Sequence, residues 1–433
     1  MLEPRGSAIN SFFKNIQIFL GGRFIFAATT FAIGVITARL LAPENRGLYT
    51  LFFTLSGLLV TLLHVGVSPA NVYFLNEKKI EIGELIGNTF TYILISLCLL
   101  GGVFFVFVFF EFRGPFTNVS SGIIWFLLWL TVLYTLIETS ISGLVYASNL
   151  YLFLSRSLIY QSIVLFLATS LILFVGPHIE QVIGLRVFAI CIFIFWFLFA
   201  FLKIVNFKRL SVSFLTLKDQ IKFGSKNWAQ NIIGFLNVRS FLFLLVYYGN
   251  PEAVGFFSVA WMLVEVIRFI PDTVGTMLLP ELTNDKSKSE QVILIIRSLK
   301  IILFGVLFLS VILFFSLDII FPLLFGIAYI PSINIAKLLL AGSIFGVVYQ
   351  VMTRYFTSQA KQRYSLVSGL CGLLAGLIAS IVLIPIYTGK GAAIAFSISA
   401  LITAAFSLYY FCKLTNTSFR ELVNISYKDF LIR

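Results

Sequence analysis

Pro43-Glu44-Asn45-Arg46-Gly47-Leu48-Tyr49 returns 208 residues later as Pro251-Glu252-Ala253-Val254-Gly255-Phe256-Phe257. Both copies read P-E-x-x-G and then two large apolar or aromatic residues. Taken alone, either is an ordinary turn, because Pro and Gly punctuate loops. Their placement says more: one copy follows the first long apolar run of the chain and the other follows the seventh. That match reads as an internal repeat with Pro43, Glu44, Gly47, Pro251, Glu252 and Gly255 as its structural signature.

Outward from these two stretches, apolar segments fall at about 16 to 38, 48 to 70, 85 to 110, 123 to 147, 157 to 175, 184 to 205, 226 to 248, 256 to 279, 293 to 317, 335 to 359, 364 to 386 and 391 to 412. A helix that crosses a bilayer takes about 20 predominantly apolar residues. Twelve of them account for nearly all of the 59% of this 433-residue chain that is hydrophobic. Charged residues are only 11%, against about 25% in soluble domains. A soluble α/β enzyme, a disordered chain and a disulfide scaffold are thereby excluded. The expected fold is an all-α polytopic membrane protein with twelve transmembrane helices in two six-helix lobes. The basic connection at about 206 to 222 separates them, giving residues 1–210 as the N-terminal lobe (helices 1 to 6) and 211–433 as the C-terminal lobe (helices 7 to 12). Six helices per half is an even number, so both halves keep one orientation, related by a pseudo-two-fold along the membrane normal. Such parallel repeats place a cavity between lobes.

The net charge of +13 does not imply nucleic acid, because Lys and Arg sit between the apolar runs. One side of the predicted topology collects Arg5, Lys14, Lys78, Lys79, Arg156, Lys203, Lys208, Arg209, Lys218, Lys222, Lys226, Lys286, Lys288, Arg297, Lys300, Lys361, Arg363, Lys413, Arg420, Lys428 and Arg433. The other holds only Arg39, Arg46, Arg113, Arg186, Lys337 and Lys390. By the positive-inside rule both termini are cytoplasmic. Cys98, Cys191, Cys371 and Cys412 lie within or at the end of apolar stretches and read as small core hydrophobes. The start of the chain shows no short apolar region with a cleavage site, so the first helix is expected to stay.

Ionisable groups inside a span cost about 2.5 to 3.5 kcal/mol and usually face a cavity or a partner. In the first span Arg23, Ala27, Thr30, Gly34 and Thr37 form a small and polar stripe; Arg23 either faces a cavity or snorkels to the headgroups. In the tenth, Ser343, Gly346, Gln350, Arg354 and Thr357 share a face, and Arg354 has the same two readings. Thr131, Thr135, Glu138 and Ser142 line the fourth span, where Glu138 either takes part in proton coupling or pairs with an arginine. The seventh opens with Asn227, Gln230, Asn231 and Gly234 and carries Arg239 too deep to snorkel easily. In the eighth, Glu265, Arg268 and Asp272 stand at i, i+3 and i+7 around Pro271. They form either a self-neutralising cluster at a kink or a cation or proton site. His64 precedes an expected kink at Gly66-Val67-Ser68-Pro69, and Gly369, Gly372, Gly376 and Ser380 permit close helix packing. No phosphate-cradling G-x-x-x-x-G-K-[ST] loop, nucleophile and base pair, or metal-ligand set stands in the sequence. No cofactor, metal or enzyme activity is therefore expected.

Thr37-Ala38-Arg39-Leu40-Leu41-Ala42-Pro43-Glu44-Asn45-Arg46-Gly47-Leu48-Tyr49 resembles the A-R-x-L-G-P-E-x-x-G-x-Y signature after the first helix of polysaccharide exporters, with Ala42 in place of the usual glycine. These are the oligosaccharide (O-antigen, Wzx-type) flippases of the MOP superfamily, which also holds the multidrug and toxin extruders (MATE) and the lipid II flippase. The resemblance implies a MOP/MATE-like fold and a bacterial inner-membrane protein. It also implies that an undecaprenyl-pyrophosphate-linked oligosaccharide is turned from the cytoplasmic to the periplasmic leaflet by alternating access. On this reading Arg23, Arg239 and Arg354 meet the pyrophosphate, since arginine's fork of donors suits phosphate. Asn227, Asn231 and Gln350 line the substrate path, and Glu138, Glu265 and Asp272 are the ion-coupling candidates. A glycan polymerase or glycosyltransferases are the expected protein partners.

The main competitor is a multidrug extruder. Cationic drugs need acidic or aromatic cavities, whereas the spans hold Arg23, Arg239, Arg268 and Arg354 against Glu138, Glu265 and Asp272. The lipid II flippase family carries two further helices. A membrane-embedded glycan polymerase or ligase typically has a large outer loop, and none here exceeds about fifteen residues.

Overall fold

A computed structural model of the chain describes residues 5–77, 80–109, 121–148, 150–176, 178–205, 210–283, 287–359, 361–418 and 421–422. Regular structure among them is helical: α1 (Arg5–Leu40), α2 (Pro43–Leu63), α3 (Val67–Asn76), α4 (Ile82–Phe109), α5 (Ser121–Ala147), α6 (Tyr151–Val175), α7 (Ile179–Ile204), α8 (Phe214–Tyr248), α9 (Pro251–Thr283), α10 (Lys288–Phe325), a one-turn 3-10 helix (Ile327–Tyr329), α11 (Pro331–Ser358) and α12 (Arg363–Thr415). Ten of the described helices are long and apolar enough to cross a bilayer. The 33 residues of α9 add a crossing by length. The 53 residues of α12 are two helices joined at Thr388, whose φ of 48° and ψ of −120° interrupt the ladder. The described residues thus form a multi-pass all-α membrane protein.

The repeated signature is helix-start chemistry plus a close approach. Pro43 and Pro251 are the first residues of α2 and α9, where a missing N–H costs little. Glu44 and Glu252 lie in the first turns, beside the positive end of the helix dipole. The glycines have a different reason. A Cβ on Gly47 would overlap the carbonyl oxygen of Pro251, and a Cβ on Gly255 would overlap that of Pro43. Each copy's glycine thus seats the other copy's proline carbonyl in a reciprocal, locally two-fold contact.

The chain divides into two compact units: Met1–Leu41 with Phe52–Ile232, and Ala42–Leu51 with Ile233–Arg433. The first ten residues of the α2 region therefore belong with the second unit, where both copies of the signature lie. The first unit is built on an aromatic core in which Phe193, Phe197 and Phe201 are at most 2% exposed, with Phe153 against Trp196 at 6.1 Å. In the second unit α11 packs on α9, α10 and α12. Trp261 of α9 stacks on Phe257 at 6.0 Å and meets Phe396 edge-on at 4.8 Å.

Two sequence expectations are refined. The run expected at 48 to 70 is α2 followed by α3, and the kink expected at Gly66-Val67-Ser68-Pro69 is a full break, with Gly66 in the left-handed region at a φ of 71°. Pro271 does not interrupt α9, which stays helical through it.

In the stretch expected as a connection, residues 206–209 lie outside the described residues and the rest is not free. From Phe214 it is already α8, docked on the first unit by a chain of buried amides. Gln220 donates to Asn71 Oδ1 (2.7 Å) and accepts from Asn88 (3.2 Å). Asn71 in turn donates to Thr89 (3.0 Å), and Asn88 accepts from Ser213 N (2.9 Å). Asn71, Asn88 and Gln220 are no more than 1% exposed, so each lost partner strands a buried polar group at about 1 to 3 kcal/mol. Gln220→Ala is expected to lower the thermal midpoint of the purified protein clearly, with exposed Lys218→Ala as the silent control.

Candidate functional site

The intramembrane charges of the second unit converge from α8, α9 and α11. Arg239 Nη2 lies 3.0 Å from Glu265 Oε1, and Arg354 Nη2 lies 4.0 Å from Asp272 Oδ1. The Arg354 side chain also covers Gly275, where any Cβ would meet its guanidinium. Glu265 and Asp272 also act electrostatically on Arg268 of the same helix, so the cluster Glu265, Arg268 and Asp272 is partly compensated along α9. Its carboxylates reach across as well to the arginines of neighbouring helices.

Between the same helices and α12 lies a cavity of about 140 Å³, lined by Gly234, Asn237, Val238, Arg268, Ser343, Gly346, Tyr349, Gln350, Phe396, Ser399, Ala400 and Thr403. Oriented with its carbonyl oxygen toward Arg268, the Gln350 amide accepts from Nε (3.3 Å) and Nη2 (3.2 Å). Asn237 donates to the Gly369 carbonyl (2.9 Å) and accepts from Ser399 (3.2 Å), which fixes its amide. The expected close packing of the α12 glycines is present: Cβ atoms on Gly372 or Gly376 would meet Ser399, and on Gly372 also Thr403.

In the first unit Glu138 of α5 accepts from Gln161 Nε2 of α6 at 3.2 Å. Arg23 of α1 and Glu138 both act electrostatically on Tyr146, so these three groups share one neighbourhood. The hydroxyls of Thr131, Thr135 and Ser142 donate to backbone carbonyls three or four residues back, as hydroxyl residues in membrane helices commonly do.

Of the residues singled out from sequence, the second unit brings together Arg239 with Glu265, Arg354 with Asp272, and Gln350 with Arg268. Asn231 is exposed, and the Asn227 side chain lies outside the described residues. Gly34 and Thr37 of the α1 stripe are buried, while Thr30 is exposed. Asn237, Tyr349, Ser399 and Thr403 were not singled out. Asn237 was legible, since Gln230, Gly234 and Asn237 follow i, i+4 and i+7; Ser399 and Thr403 carry no comparable signal in a helix of small residues.

Solved structures share this fold. The lipid II flippase MurJ in an inward closed conformation aligns with a TM-score of 0.77 at 14% identity, over 94% of this chain and 89% of that one. A multidrug resistance MATE family transporter of the MOP superfamily, inward-facing, aligns with a TM-score of 0.69 at 13% identity, over 93% and 98%. A MOP superfamily transporter from Pyrococcus furiosus, described as having a binding pocket of reversed polarity that suggests a different function, aligns with a TM-score of 0.65 at 13% identity, over 95% of each chain. No family model matches the sequence, and no curated protein matches it. The fold is that of the MOP superfamily structures.

Proposed function

We propose that this chain is a flippase for a lipid-linked oligosaccharide, moving an undecaprenyl-pyrophosphate-linked glycan from the inner to the outer leaflet by alternating access. The observation that carries the reading is the surplus of arginine over carboxylate among membrane-embedded groups: Arg239, Arg268 and Arg354 against Glu265 and Asp272 in one unit. A diphosphate headgroup is the complementary charge, and a lipid flippase is among the structures of like fold. Arg239 and Arg354 keep side-chain exposures of 30% and 34%, so an incoming diphosphate can displace Glu265 and Asp272 from them, with Arg23 as the counterpart in the first unit. Glu138, Glu265 and Asp272 are the groups proposed to couple transport to an ion gradient or the membrane potential.

The proposed setting is a bacterial inner membrane with both termini cytoplasmic, where a glycan polymerase or glycosyltransferases would be neighbours. The test is genetic. Deletion is expected to trap lipid-linked oligosaccharide on the cytoplasmic leaflet, and this chain alone is expected to restore surface glycan. Full surface glycan in the deletion strain, with new drug sensitivity, would favour the multidrug extruder, a reading supported by the MATE likeness.

A further inference from the structure

The cavity beside Arg268 has a cationic donor in its lining and, among the described residues, no carboxylate. Guanidinium carries five N–H groups, and two of those on Arg268 go to the single Gln350 oxygen. Arg239 and Arg354 each have a carboxylate within 4.0 Å; among the described residues Arg268 has none at that range, and shares the more distant influence of the same two carboxylates, Asp272 and Glu265. The hydroxyl hydrogens around it are committed elsewhere, leaving neutral hydroxyl oxygens but no charged acceptor among the described lining residues. Tyr349 donates to the Ser365 carbonyl, Ser343 to that of Leu340, and Thr403 to that of Ser399. Asn237 has both amide atoms in use. Three guanidinium groups against two carboxylates leave one positive charge in a membrane-embedded helix cluster, where an unpaired charge is costly.

We propose that this cavity binds a free, small monovalent anion of halide size, held by the N–H groups that Arg268 does not give to Gln350. Its volume, about 140 Å³, is below the roughly 300 to 1,000 Å³ of sites for drug-sized ligands, so a glycan diphosphate does not fit within it. The inference shares the arginine surplus with the oligosaccharide reading but is tested without that substrate. Either can fail alone.

The experiment follows the thermal midpoint of the full-length protein in neutral detergent, in sodium gluconate progressively replaced by chloride or bromide at constant ionic strength. Wild type is expected to show a saturable rise. Gln350→Glu, which supplies the missing negative charge from the chain itself, is expected to raise the midpoint in gluconate and to weaken the halide response about tenfold or more. Arg23→Gln, in the other unit, is expected to keep the response. Absence of a halide response in wild type would overturn the proposal, as would an undiminished response in Gln350→Glu. A rise with inorganic pyrophosphate and none with chloride would overturn it too, because the anion would then be the diphosphate class.

Discussion

Gly255→Val is expected to yield little folded protein, and Gly47→Val the same. Even the Cβ of alanine at either position overlaps a proline carbonyl oxygen of the opposite signature. That oxygen belongs to the first turn of a helix and cannot swing aside as a side chain would. Overpacking by a single methyl in a close-packed interior costs about 1 to 3 kcal/mol; valine adds two further methyls, and net stabilities are only about 5 to 15 kcal/mol. Because the contact is reciprocal, the two alanine variants are expected to lose similar amounts, read as the thermal midpoint and the monodisperse fraction after extraction. Gly305, where a Cβ meets nothing within 4 Å, is the control, and its alanine variant is expected to match wild type. Wild-type midpoints for both Gly47→Ala and Gly255→Ala would remove the reciprocal contact from the account.

The second large effect is functional. Arg239→Ala is expected to reduce glycan export about tenfold or more, since hydrogen bonds to a charged group contribute about 1.5 to 3 kcal/mol. The single variant also leaves Glu265 without its partner, so loss of export alone does not distinguish a structural role from a substrate role. Arg239→Ala with Glu265→Gln, read against Glu265→Gln alone because Glu265 is itself a proposed coupling group, separates them: the charge balance of the pair is kept, protein level is expected to recover, and export is expected to stay below that of Glu265→Gln alone. Arg239→Lys keeps the charge but loses the planar fork and is expected to fall between. Recovery of export in the double variant to the level of Glu265→Gln alone would make the pair a structural ion pair only.

The all-α membrane class and the location of the repeat were legible in the sequence because they rest on local quantities: apolar length, and Pro and Glu at a helix start. That the two copies of the signature touch was not legible, since spacing along the chain carries no distance across it. The charges show the same limit. Spacing along α9 suggested either that Glu265, Arg268 and Asp272 satisfy one another or that they form a cation or proton site; the two carboxylates do act on Arg268, but that they also reach Arg239 and Arg354 of other helices was not legible. Polar residues near 213 to 222 read as a connection because polarity on a membrane chain signals water. Asn71, Asn88 and Gln220 instead bury that polarity against one another, which only the tertiary partners reveal. The glycines of α12 were readable as packing residues, but not the Ser399 and Thr403 that they admit.

The central claim is that the chain translocates an anionic lipid-linked glycan. It is tested most directly by reconstituting the purified protein in vesicles loaded with undecaprenyl-pyrophosphate-linked oligosaccharide and measuring how much glycan an added glycosidase can reach. The account predicts that the reachable fraction rises beyond the outer-leaflet share only when the protein is present, and that Arg239→Ala slows the rise. A reachable fraction fixed at the outer-leaflet share, in vesicles that do accumulate a cationic dye, would contradict it.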